Sequence, residues 1–189
     1  MFHWLTISLA FVAMGLTSAA FGQDGAIAQR QVLAVDWPAA RAKAEADLAS
    51  DPEGITAFRA AVPTGVESVT LPVLVPGSGP VRASPRFRSQ ETAYAALYPL
   101  PAAKLTVLGS AIAIVLSPDD SLASEVERLP VSEEGDFDVS EDGSDLAFTM
   151  FGASYVLRIS CANADDSRCA DRVFLDKVKQ SLLVLGGSQ

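Results

Sequence analysis

Cys161 and Cys169 are the two cysteines of this chain, seven residues apart in the segment SCANADDSRCAD. Such a pair serves a structural disulfide, a redox couple or a metal site. Thiol oxidoreductases favour Cys-x-x-Cys at a helix start, where the first thiolate is stabilised. The spacing here is wider, and Asp165 and Asp166 between the cysteines oppose thiolate formation. A staple is the expected state. It closes a loop of nine residues, and the chain-entropy argument puts its contribution at about 2.5 kcal/mol.

The single histidine, His3, lies in an N-terminal segment expected to be removed, which leaves a mature chain without imidazole. His-based zinc sites, His-Glu-x-x-His proteases and Ser-His-Asp or Cys-His hydrolases then lose an obligatory group. Ser-x-x-Lys, Gly-x-Ser-x-Gly and Gly-x-x-x-x-Gly-Lys do not occur, and PGSGP at 76–80 reads as a loop that opens no helix. Oxygen-ligand chemistry remains open in SEEGDFDVSEDGSD, which holds Glu133, Glu134, Asp136, Asp138, Glu141, Asp142 and Asp145. Its Asp136-x-Asp138-x-Ser140 spacing imitates the start of a calcium loop, yet Glu141 stands where Gly is needed and Ala147 where Glu is needed. The expectation is a solvated acidic turn between two strands. No catalytic, cofactor or metal residue is assigned. The enzyme alternative is a hydrolase using a carboxylate pair, as in glycoside hydrolases.

The compartment follows from MFHWLTISLAFVAMGLTSAAFGQDGA, an apolar run that passes into small residues and then Gln23 and Asp24. It reads as a signal peptide over residues 1–22, cleaved after Ala20-Phe21-Gly22, although Lys and Arg are missing from its start. The apolar stretch is barely long enough to span a bilayer, and Gly15, Thr17, Ser18 and Gly22 weaken it as an anchor. With no nearby cysteine for lipidation, residues 23–189 are expected to be one soluble domain, periplasmic or secreted, with no stable membrane insertion. Apolar residues at 49% against 20% charged fit a globular chain, and no repeat of twenty to fifty residues is evident. A formal charge of −9 disfavours nucleic acid and anionic lipid as partners. Arg82, Arg86 and Arg88 in VRASPRFR form the one basic cluster, read as a solvated loop.

The elements expected to position these residues make an α+β fold: N-terminal helices, an antiparallel β-sheet of hairpins, and a C-terminal amphipathic helix stapled by the disulfide. VDWPAARAKAEADLAS predicts a helix with Asp36 or Trp37 before Pro38, and Lys43 and Asp47 as i,i+4 partners. Asp51-Pro52-Glu53 starts a second, ending near Val62-Pro63, with Trp37 and Phe58 facing the core. SVTLPVLVP predicts a short edge strand because of Pro72 and Pro76, and ETAYAALYPL predicts another strand. In KLTVLGSAIAIVLS, Gly109-Ser110 predicts a type II′ hairpin turn, with Leu105, Val107, Ile112, Ile114 and Leu116 on a buried face. SLASEVERL predicts a short helix capped by Asp119 or Asp120. DLAFTMFGASYVLRISC predicts a hairpin or bulged strand about Phe151-Gly152-Ala153-Ser154. Phe174, Leu175, Val178, Leu182 and Leu185 then form a helical stripe ended by Gly186-Gly187.

FGASYVLRISC leading through ANADDSRC into that stripe resembles a group of uncharacterised exported proteins of Gram-negative bacteria. The likeness runs from about Glu91 and rests on Phe151, Gly152, Tyr155, Cys161 and Cys169. It implies location and fold, and no catalytic residue. The sequence therefore points to an exported, non-catalytic binding module whose partner is a protein, a cell-wall component or a small molecule. The residues 68–75 are the expected exposed edge for a partner strand.

Overall fold

The computed structural model describes residues 29–50, 52–61, 65–77, 81, 85–116, 134–163 and 165–188. The expected signal peptide, Asp51, Val62 and Pro63, Arg82 and the helix expected at 121–129 lie outside these residues, as does the side chain of Phe58. Among the described residues, no helix is long and apolar enough to cross a membrane.

Helices α1 (Trp37–Ser50) and α2 (Pro52–Ala61) form where expected. Asp36 Oδ1 caps the first by accepting from Ala39 N at 3.0 Å. Lys43 Nζ meets Asp47 Oδ1 at 2.8 Å, one helical turn on. Trp37 is half-buried, its ring against Gly187. Before α1, a strand that the sequence reading missed, β1 (Gln29–Val32), pairs antiparallel with β6 (Ile112–Val115).

The main sheet has six antiparallel strands. In spatial order they are β3 (Arg86–Gln90), β4 (Ala93–Leu100), β5 (Ala103–Ser110), β9 (Ala153–Cys161), β8 (Gly143–Met150) and β7 (Asp136–Ser140). Two-residue turns join its hairpins at Glu91-Thr92, Pro101-Ala102, Glu141-Asp142 and Phe151-Gly152. The last is the turn expected in that region. Phe151 at φ 53 and Gly152 at φ 77 give it two left-handed positions, the type I′ geometry that matches strand twist. The expected Gly109-Ser110 turn is not formed. Those residues complete β5, because a Cβ at Gly109 would fall 2.4 Å from Tyr94 Cε1 and only glycine lets that ring lie on the strand. The true turn before β5 is Pro101-Ala102, with Ala102 at φ 56. Leu105 and Val107 are buried as expected, whereas Ile114 is 69% exposed because β6 leaves the sheet to pair with β1.

A repeat that the sequence conceals organises this sheet. Strands β3–β4–β5 and β7–β8–β9 have matching turns and registers at an offset of 50 residues, so Arg86–Ser110 corresponds to Asp136–Ser160. The two units meet antiparallel through β5 and β9, where the equivalent residues Val107 and Leu157 are register partners. A local two-fold axis therefore passes through that pair, normal to the sheet. Only Phe87/Phe137, Glu91/Glu141, Ala103/Ala153 and Ser110/Ser160 are identical across the two units.

One face of the sheet carries Tyr94, Tyr98, Leu105, Val107, Leu146, Phe148, Tyr155, Leu157 and Ile159 into the core. Against them lie α3 (Ser167–Ala170), α4 (Val173–Gln180) and a two-stranded ribbon of β2 (Val73–Pro76) and β10 (Leu182–Gly186). The C-terminal helix is thus shorter than expected. It stops at Gln180, and Leu182 and Leu185 belong to a strand, since the backbone of Leu182–Val184 pairs with the buried residues Leu74–Pro76 of β2. The other side of β2 is engaged too: Tyr94 Oη bonds Leu74 N (2.8 Å) and Leu74 O (3.2 Å), and Tyr155 Oη donates to Pro72 O at 2.9 Å. Val69, Leu71, Val73, Leu74 and Val75 are buried, so the exposed edge expected at 68–75 does not exist. The short edge strand expected from Pro72 and Pro76 does form, since β2 has β10 on one side only, but the core covers it instead of solvent.

Candidate functional site

The cysteines stand at disulfide distance, with sulfurs 2.02 Å and Cα atoms 6.3 Å apart. Cys161 ends β9 and Cys169 lies in α3, so the bond spans the passage from the sheet to the helices laid on it. Asp166 caps α3 by accepting from Arg168 N at 3.0 Å. The Arg168 guanidinium, with Nε 2.9 Å from Asp166 Oδ1, and that backbone bond hold the Asp166 carboxyl down at about 2.

The acidic segment holds the exposed turn expected between two strands, at Glu141-Asp142, and its flanking acidic residues stand in those strands, β7 and β8. Asp138 and Asp145 are register partners across β7 and β8, but Asp138 is exposed and Arg158 forks onto Asp145 with Nε 2.7 Å from Oδ1. Among the described residues the one buried carboxylate is Asp47, 8% exposed, which Lys43 and Val184 N (3.0 Å) engage. It ties α1 to β10. Arg86 and Arg88, expected in a loop, stand in the edge strand β3.

Among the described residues, the surface left open is the second face of the six-stranded sheet. Its central strands are solvent-facing: Lys104 of β5, Ser154 and Arg158 of β9 and Thr149 of β8 are exposed. One row across the sheet reads Arg88, Ala95, Leu108, Val156, Ala147, Asp136, each opposite the next. Its four middle residues are half-buried and apolar. The neighbouring row reads Arg86, Leu97, Thr106, Arg158, Asp145, Asp138. Each row runs from arginine at the β3 edge to aspartate at the β7 edge. A shallow depression of about 540 Å³ lies over the β3–β4 end, lined by Arg88, Gln90, Ala93 and Ala95 among others.

All three tyrosines turn to the core side and none to this face. Burial pushes the phenols of Tyr94, Tyr98 and Tyr155 well above their ordinary value. Among the described residues, Tyr98 Oη and Ser144 Oγ are buried without a hydrogen-bond partner. The sequence reading missed the open face because it weighed residues for catalysis. Two signals were available: the alternation of AYAALYPL and ASYVLRIS, and the pair of motifs RFR and DFD fifty residues apart.

Comparison of the chain with protein-family models, with curated proteins and with solved structures returned no match.

Proposed function

We propose that this chain is an exported, non-catalytic module, periplasmic or secreted, that binds a protein partner through the open face of its six-stranded sheet. The observation that carries this reading is the row Ala95, Leu108, Val156, Ala147, an apolar band across four strands with no described element packed on it. The chemistry of the face selects among partner classes. Sugars are held by stacking on aromatic rings, and every ring of these strands is on the other side. Small molecules need an enclosing pocket, whereas the depression on this face is shallow and confined to the β3–β4 end. A protein surface needs neither. The disulfide supports an oxidising compartment.

The carboxylate-pair hydrolase gains no support from a particular site, since Asp138 and Asp145 lie on the open face with Arg158 on the latter. The test is capture by crosslinking in an envelope extract, comparing wild type with the double variant Leu108→Asp/Val156→Asp. The expected result is recovery of a defined partner by wild type and a loss of about tenfold or more with the variant, because two carboxylates would be desolvated in the contact. Equal recovery by a folded variant overturns the proposal, as does the absence of any partner.

A further inference from the structure

We infer that this protein associates with further copies of itself edge to edge, the β3 strand of one copy adding to the β7 strand of the next. Three observations converge. First, β3 and β7 are the two ends of the six-stranded sheet, and among the described residues no strand pairs with the outer side of either. Second, the local two-fold makes them structural equivalents with opposite charge: Arg86 and Arg88 of RFRSQ stand where Asp136 and Asp138 of DFDVS stand. All four are exposed on the same face of the sheet, and among the described residues none has an ion-pair partner in its own chain. Third, an all-antiparallel sheet of six strands has edges that run in opposite directions. A copy laid alongside with the same face up therefore presents β7 antiparallel to β3, as strand addition needs.

Both strands have five residues, and full overlap gives one register with a consistent chemistry. Arg88 falls opposite Asp138 of the next copy and Gln90 opposite its Asp136. Arg86 reaches Asp138 and Arg88 reaches Asp136 on the diagonals. On the core side, Phe87 falls opposite Val139, whose side is otherwise 53% exposed. Pairing of like edges is disfavoured, since two β3 strands would set arginines together and two β7 strands aspartates. The contact is heterologous, so it propagates instead of closing into a two-fold dimer. The formal charge of −9 opposes association at long range, but beyond about 8 Å it is screened at physiological ionic strength.

The test uses the full chain expressed in cells, purified after processing, with solution mass measured by sedimentation at about 0.15 M salt. Wild type is expected to exceed monomer mass as its concentration rises. Arg86→Asp/Arg88→Asp has two acidic edges and Asp136→Arg/Asp138→Arg two basic ones, so each alone is expected to stay monomeric. Mixed one to one, the two variants are expected to associate again. Circular dichroism establishes that each is folded; if a double reversal unfolds, Arg88→Asp and Asp138→Arg alone replace it in the same mixing experiment. Monomeric wild type at every concentration overturns the proposal, as does association that survives the reversals or fails to return on mixing.

Discussion

Tyr94, Tyr98 and Tyr155 place their phenols in the core, two of them bonded to the backbone at Leu74 and Pro72 and one without a partner among the described residues. Burial favours the neutral form in each, so the folded protein binds these protons more tightly than the unfolded chain. Stability from this source is complete below the ordinary phenol value near 10 and falls as pH rises above it. Ultraviolet titration is therefore expected to show no tyrosinate in the native state at pH 11, and a cooperative rise for all three rings on alkaline unfolding. A graded rise near pH 10 in folded protein would contradict the burial. At this scale the sequence was legible where one residue acts alone. Asp36 caps α1, the cysteines meet, and Gly152 takes its turn. It was illegible at Gly109, whose role is to make room for a ring fifteen positions away in sequence.

The helices α1 and α2 and the hairpin of β8 and β9 were legible because their signals are local. The terminal stripe was not, for Leu182 and Leu185 keep helical spacing and yet join a strand. Their fate is set by pairing with β2, more than a hundred residues earlier, which periodicity cannot register. The disulfide acts on this same region, joining the end of β9 to the helix that precedes α4 and β10. Replacing both cysteines by Ala is expected to lower the unfolding free energy by about 2.5 kcal/mol while leaving the fold intact. Chemical denaturation measures this, and an unchanged midpoint would leave the bond without a stabilising role.

Across the whole molecule the repeat explains why two stretches of unlike sequence build one continuous core. At the equivalent cross-strand positions the bulk is exchanged: Tyr94 faces Gly109 in the first unit, while Ser144 faces Ile159 in the second. Volume is conserved over the pair and not at the residue, so residue-by-residue comparison hides the duplication. A double-mutant cycle tests this. Gly109→Ile alone is expected to be severely destabilising, and Tyr94→Ser/Gly109→Ile to be more stable than the sum of the single changes by about 1–3 kcal/mol. Additive effects in denaturant titrations would mean that the pair does not share its space. The placement of β10 has a further consequence for biogenesis. Because Leu182 and Val184 belong to the core, a chain that emerges N-terminus first lacks part of its hydrophobic layer until those residues arrive. Emergence of the sheet and completion of the native state are thereby kept apart in time.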